Sequence, residues 1–413
     1  MKRKLLLLMV LISSAVIAQE EVKKPSVKIS GYVRYEAFYD TYKSVDTRDG
    51  DVYLYPLAES LDASGNDINE NGRLEMLSLQ SRLKFAVTGP DAFGAKTSAV
   101  IETDLLGTSQ NYTRMFRLRH AFMKLNWEKS ELLMGQYWHP MWNPKCFPAT
   151  LSFGAGVPFH VLNRSPQLRL TRKLTESITI MGAASMQGYH KSVGPATAQR
   201  DAGLPDMQIQ LAYNSGPVYA SLTAGYKWLK PILFTIDTIS DGTDNKYVFN
   251  EISGSFNVQA SLAIKAKPVT FKVQAILGEN MTNYVMIGGY GMETGTMDQY
   301  GHFEYANLKT MSTWADLSSN NKKINWGLFG GYSANLGSDV NYTSLSYGRG
   351  ENIASIFRVA PRVTYTSGKT MFGFEYMLGG AVYATSIDAN GKASATADPT
   401  MNNRFLFSAK YSF

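Results

Sequence analysis

RFLFSAKYSF, residues Arg404–Phe413, is the stretch whose reading decides the fold. Phe405, Phe407, Ala409, Tyr411 and Phe413 share one face of an extended strand, and Arg404, Ser408 and Lys410 share the other, with Leu406 the single interruption. One face asks for hydrocarbon and the other for water. Standing alone, such a strand exposes its backbone donors and acceptors together with an aromatic row, which is an aggregation hazard. A closed antiparallel β-barrel in a lipid bilayer removes both problems: every strand gains a neighbour, and the aromatic row meets acyl chains. The competing arrangement is a soluble antiparallel strand.

Working outward, the 413 residues show no linker or composition shift that divides the body. Charged residues are 18% and aromatic residues 12%, a balance that suits a membrane barrel better than a soluble domain. At the other end of the chain Lys2, Arg3 and Lys4 precede an apolar core from Leu5 to Ile17, with a cut expected before Gln19. Residues 1–18 therefore read as a secretory signal peptide and 19–413 as one exported barrel domain. Removing the three leading cations takes the formal charge from +7 to about +4, so the basic balance does not imply nucleic-acid binding. The lone cysteine, Cys146, has no internal disulfide partner and no ligand spacing around it.

The same two-residue rhythm runs through the chain. Val27, Ile29, Val33, Tyr35 and Tyr39 oppose Lys28, Ser30, Arg34 and Glu36 in a first strand. After a long polar insert, Leu77, Leu79, Leu83, Phe85 and Val87 oppose Ser78, Gln80, Arg82 and Lys84 in a second; Ala99, Ile101 and Leu105 oppose Ser98, Glu102 and Asp104 in a third. Short turns fall at Gly89–Gly94, Glu128–Glu131, Lys173–Ser177, Asn214–Pro217, Lys265–Pro268, Ser318–Lys323 and Thr366–Lys369, with longer loops between them. This alternation predicts an all-β transmembrane antiparallel β-barrel of about 16 strands, with 14 and 18 as the neighbouring counts and Leu308–Leu317 as the weakest strand. A soluble sandwich would have to hide the aromatic face of all these strands in one core, more than common sandwiches do.

A barrel of this width is not filled by wall side chains, so its lumen holds water unless a loop enters it. The segment from about Trp138 to Ser165 is aromatic, proline-rich and free of acidic residues, whereas the first long loop, Thr41–Arg73, reads as a solvated surface loop. The later segment is expected inside as a constriction, carrying Trp138, His139, Trp142, Lys145, Phe153, Phe159 and Arg164; a cap over the barrel mouth or a subunit contact is the alternative. On the water face the wall carries Arg34, Arg82, Lys84, Arg117, Arg119, Arg169, Lys272, Arg358 and Arg362 against Glu36, Glu102, Asp104, Glu251 and Glu375. Basic groups outnumber acidic ones, and Lys145 and Arg164 add charge in the loop without a counter-charge, which predicts weak anion preference. The two-residue period leaves His120 and Lys124 facing outward, where a cation near the bilayer midplane costs about 2 to 4 kcal/mol.

The terminal aromatic strand resembles the closing strand of bacterial outer-membrane proteins, and the whole mature chain resembles a general diffusion porin. GQYW at Gly135–Trp138 and the early GYVRYEAFYD are similar to the DcaP-like branch of trimeric porins. The resemblance implies an outer-membrane address, lipid around the wall, a homotrimer, an inward-bent third long loop, and passage of small, often anionic, hydrophilic solutes.

Rival chemistries find little purchase. His120, His139, His160, His190 and His302 lack zinc spacing, and DASGNDINENG from Asp62 puts Asp67 where a calcium loop needs glycine, so neither a metal nor a cofactor is expected. Ser152 and His160 could be cast as a hydrolase pair, but no elbow motif supports them, and no enzyme is expected. A structural or adhesion barrel with a plugged interior remains the second class. A transporter of hydrophobic substrates would want a longer N-terminal plug than Gln19–Ser26.

Overall fold

The computed structural model describes residues 24–237 and 245–413; the expected leader, residues 1–18, lies outside the described residues. Among the described residues sixteen antiparallel strands close into one cylinder. The first half of the wall comprises β1 (Ser26–Asp40), β2 in two pieces (Arg73–Leu77 and Arg82–Thr88), β3 (Lys96–Asp104), β4 (Arg117–Asn126), β5 (Ser130–Trp138), β6 (Arg164–Lys173), β7 (Ile178–Ser185) and β8 (Asp206–Ser215). The second half comprises β9 (Val218–Leu229), β10 (Ser253–Lys265), β11 (Val269–Glu279), β12 (Tyr305–Ser319), β13 (Ile324–Gly337), β14 (Ile353–Ser367), β15 (Thr370–Ile387) and β16 (Thr400–Ser412).

Each strand pairs with the next in sequence, and β16 returns to β1 from Tyr32↔Ser412 to Asp40↔Arg404, so the sheet has no open edge. The period of two sorts the side chains as expected. Val33 and Phe407 stand outward at 57% and 41% exposure, while Glu36 and Ser408 point in at 1% and 0%. Every short turn anticipated from sequence joins two consecutive wall strands, and the strand expected to be weakest runs without a break from Tyr305 to Ser319.

Three departures share one cause, which is that the interior holds more chain than the long aromatic segment alone. Within the first loop, expected to be solvated, a hairpin (Ser44–Thr47 paired with Val52–Pro56) turns into the barrel and buries Val52, Tyr53, Leu54 and Tyr55. Only its later part, around Asp62–Gly72, is exposed. Leu406, the interruption in the terminal strand, joins that hairpin in one buried cluster, as do Leu77 and Leu79, which leave the outward row where β2 breaks at Ser78–Ser81. Greasy side chains on the water face thus mark where a loop lies against the wall.

The remaining departure is a β-bulge. Between Glu102 and Thr103 the pairing of β3 with β4 slips by one residue, placing Glu102 opposite His120 and Thr103 opposite Leu118. The extra residue, Arg119, flips the phase of β4, so Arg117 before it, Arg119 itself, and His120 and Lys124 after it all face inward. The outward placement of His120 and Lys124 is therefore corrected, and the bilayer cost disappears with it. Lys124 pairs with Glu131 at 2.8 Å.

Candidate functional site

The aromatic segment after β5 does enter the lumen, and the wall fastens it by its backbone. Arg169 Nη2 donates to the Trp138 carbonyl at 2.6 Å, Lys272 Nζ to Phe147 at 2.9 Å and Arg358 Nη1 to Val157 at 2.9 Å. Glu375 accepts the Leu151 and Ser152 amides at 2.7 and 3.0 Å. On the far side Gln259 donates to Met141 at 2.8 Å, Ser312 to Phe159 at 3.1 Å, and Asn143 reaches Tyr219 and Ser221, each at 2.9 Å. A loop buried inside a barrel must satisfy its peptide groups internally, and these strands supply the partners. Cys146 lies at the bottom of this packing with its thiol against the Leu262 and Val273 carbonyls, and burial pushes it up to about 11.

What the loop leaves open is a cavity of about 380 Å³ against β1, β2 and β4. Arg34, Arg82, Arg119 and Arg164 converge on it from one side, and Trp138, Trp142, Phe147, Leu151 and Phe153 form the other. Cross-strand register builds the charged side. Pairing of β3 with β4 sets Asp104 beside Arg117 (2.6 and 3.0 Å) and Arg119 (2.9 Å), and Glu102 beside Arg119 (2.7 Å), with Arg82 at 3.6 Å. Arg34 meets Glu36 at 2.7 Å and Gln80 at 3.1 Å. Lys84 faces inward from β2, half-buried.

Arg164 is different. It opens β6, is fully buried, and stands over the Trp138 ring at 4.7 Å, where Trp138 itself stacks on Trp142 at 3.9 Å. Its Nε meets the Tyr189 hydroxyl at 2.8 Å, and its Nη1 has no hydrogen-bond partner. Burial alone would raise the Tyr189 phenol, yet Arg164, Arg117 and Arg119 together hold it below its ordinary value. Three guanidiniums thus crowd that phenol. Burial drives His139 and His160 down to about 3, so neither adds charge at neutral pH.

Of the residues read from sequence, the structure gathers Arg34, Arg82, Arg119, Trp138, Trp142, Phe153 and Arg164 around the cavity, with Glu36, Glu102, Asp104 and Arg117 among or behind them. Arg169, Arg358 and Arg362 do not belong there. The first two each donate to loop carbonyls, and Arg362 is locked to Asp316 at 2.7 and 3.0 Å. His139 and Phe159 are buried within the packed loop, and exposed Lys145 lies over the Tyr219 ring. Among the described residues, the inward elements missed include the Ser44–Pro56 hairpin and the segment around Met281–Tyr290, in which Met281, Tyr284, Met286 and Tyr290 are buried. Both carry a signal, since VYLYP and YVMIGGY are apolar runs inside polar loops. The hydrolase casting fails on geometry. Ser152 Oγ is buried without a partner, while His160 Nδ1 is 2.9 Å from Gln274.

Neither a protein-family model nor a curated protein sequence matches the chain. Solved structures do. This is the porin fold. The outer membrane channel DcaP of Acinetobacter baumannii superposes with a TM-score of 0.67 at 18% identity, covering 94% of this chain and 98% of that one. An anion-selective porin from Comamonas acidovorans gives 0.56 at 10% identity, covering 94% and 100%, and the trimer form of Vibrio cholerae OmpT gives 0.56 at 10%, covering 95% and 100%. Across these porin folds the barrel is shared at identities that leave the lumen chemistry to each sequence.

Proposed function

We propose that the chain is an outer-membrane porin, exported by removal of residues 1–18 and assembled as a homotrimer, whose lumen passes small hydrophilic solutes with weak preference for anions. One observation carries the reading. At the cavity the carboxylates Glu36, Glu102 and Asp104 are all taken up by other guanidiniums, whereas Arg164 forms no ion pair with a carboxylate among the described residues and keeps an unpartnered donor. A fixed surplus of positive charge beside a water-filled path favours anions electrostatically. The anion-selective and trimeric neighbours support the charge preference and the assembly by likeness of fold. Liposome-swelling rates for a graded set of sugars and dicarboxylates test it. Rates that fall with solute size, with dicarboxylates ahead of neutral sugars of the same size, are expected; no swelling with any solute contradicts it.

The depth of loop filling favours one other reading, a barrel that does not conduct. The aromatic segment, the Ser44–Pro56 hairpin and Met281–Tyr290 all bury apolar side chains inside the wall. Swelling separates the two readings directly.

A further inference from the structure

The Ser44–Pro56 hairpin brings a carboxylate, Asp51, into the barrel interior, where it meets the wall carboxylate Glu36 through a single amide. Gln80 sits in the break of β2; one N–H of its side chain donates to Glu36 and the other to Asp51 Oδ1 at 3.0 Å, while its carbonyl accepts from Arg34 at 3.1 Å. Glu36, Asp51 and Gln80 are all at least 96% buried. Asp51 Oδ2 meets no donor. An ionised carboxylate in that position leaves an oxygen desolvated and unpaired beside a second carboxylate, whereas a neutral acid does not.

We propose that the hairpin is a shutter on the lumen, docked firmly when the Glu36–Asp51 pair carries a proton and loosened when the pair is fully ionised. The proposal rests on the porin reading, because a shutter needs a lumen to narrow. The hairpin is placed for the task. Tyr53 lies beneath Arg404 and Arg358, each at 4.9 Å, and Leu54 offers its carbonyl to Arg358 at 3.1 Å, so the hairpin occupies the interior beside β14 and β16.

The charged groups around the pair come from four elements. Arg34 stands on β1, Arg117 on β4 and Arg404 on β16, and Arg48 belongs to the hairpin itself. Arg404 is committed to Asp40 through 2.6 and 2.8 Å contacts and Arg117 to Asp104, which leaves Arg34 as the direct counter-charge. Burial outweighs these cations and pushes the Asp51 carboxyl up to about 6 from its ordinary 3.8. The sign follows from a carboxyl raised on docking: a proton on the pair favours the docked hairpin, so docking is firmest in acid and weakens as pH rises through 6 and above it.

Two readouts test the shutter and separate its failure from that of the porin reading. Hydrogen exchange of the hairpin amides, corrected for intrinsic rates, should lose protection by at least about threefold between pH 5 and pH 8 in the native protein and stay flat in Asp51→Asn. Single-channel conductance should rise over the same interval, stay flat in Asp51→Asn, and be high at both pH values when Val45–Tyr55 is deleted. A flat native protein, an Asp51→Asn variant that keeps the step, or a deletion without effect on conductance overturns the proposal. Silent bilayers with the exchange step preserved overturn the porin reading and leave proton-held docking standing.

Discussion

The wall of the lumen has two unlike sectors. From β1 to β4 the inward residues are charged: Arg34, Glu36, Arg82, Glu102, Asp104, Arg117 and Arg119. From β9 to β13 most are neutral and polar, among them Thr223, Ser255, Asn257, Gln259, Ser261, Ser312 and Ser333, with Lys227, Lys272 and Asp316 between them. Gln259 and Ser312 of the second set bond the backbone of the entering loop, which neutral amides and hydroxyls do without the desolvation cost of an ion. The first set borders the cavity. Charge is densest where the wall borders the cavity and sparser beneath the loop, where Lys272 and Arg358 serve its carbonyls, so the density of charge around the wall marks the open side of the barrel.

The largest way to break this contrast is Asp104→Ala. It leaves Arg117 and Arg119, 4% and 2% exposed, without the carboxylate they share, and the expected loss is about 3 to 5 kcal/mol in denaturant unfolding. An effect below about 1 kcal/mol would mean that water reaches these arginines freely. Acid should weaken the packed sector next. His139 and His160 are held neutral by burial, with values near 3 in place of 6.5, so the unfolded chain binds more protons below pH 6.5 and stability falls as pH falls from 6.5 toward 3. At pH 5 each imidazole costs about 2 kcal/mol, and the His139→Gln, His160→Gln double variant should unfold with a shallower acid slope. The smallest effect belongs to Asn143→Ala, which removes the 2.9 Å bonds to Tyr219 and Ser221 and should cost about 1 to 2 kcal/mol with ion selectivity unchanged. A selectivity change in that variant would sharpen the contrast differently, by showing that loop seating sets the open path.

The cylinder was legible because it depends on a period of two and on turn residues, both local properties: the pairing of Val33 with Tyr411 follows from alternation on either side of the closure. The aromatic loop was legible because its composition is wrong for water. What escaped is non-local. Whether Val52–Pro56 folds inward depends on Leu77, Leu406 and Met377 offering it a surface; of these only Leu406 reads locally as an irregularity, and Leu77 reads as part of the outward row. The bulge that turns His120 and Lys124 inward comes from a one-residue slip against β3, and no turn residue announces it. For the same reason Arg82, Arg358 and Arg362 look alike in the sequence. Only the fold shows that one borders the cavity, one holds loop carbonyls and one is closed by Asp316.

The claim on which the account stands is that water and small anions pass beside the charged sector. Its most direct test is the reversal potential of the purified protein in a planar bilayer across a potassium chloride gradient, for the native chain and for the Arg82→Gln, Arg164→Gln double variant. The account predicts steady steps with chloride favoured over potassium, and a shift toward potassium in the variant. Absence of steps from well-folded protein, or a potassium preference that the two substitutions leave unmoved, would contradict it.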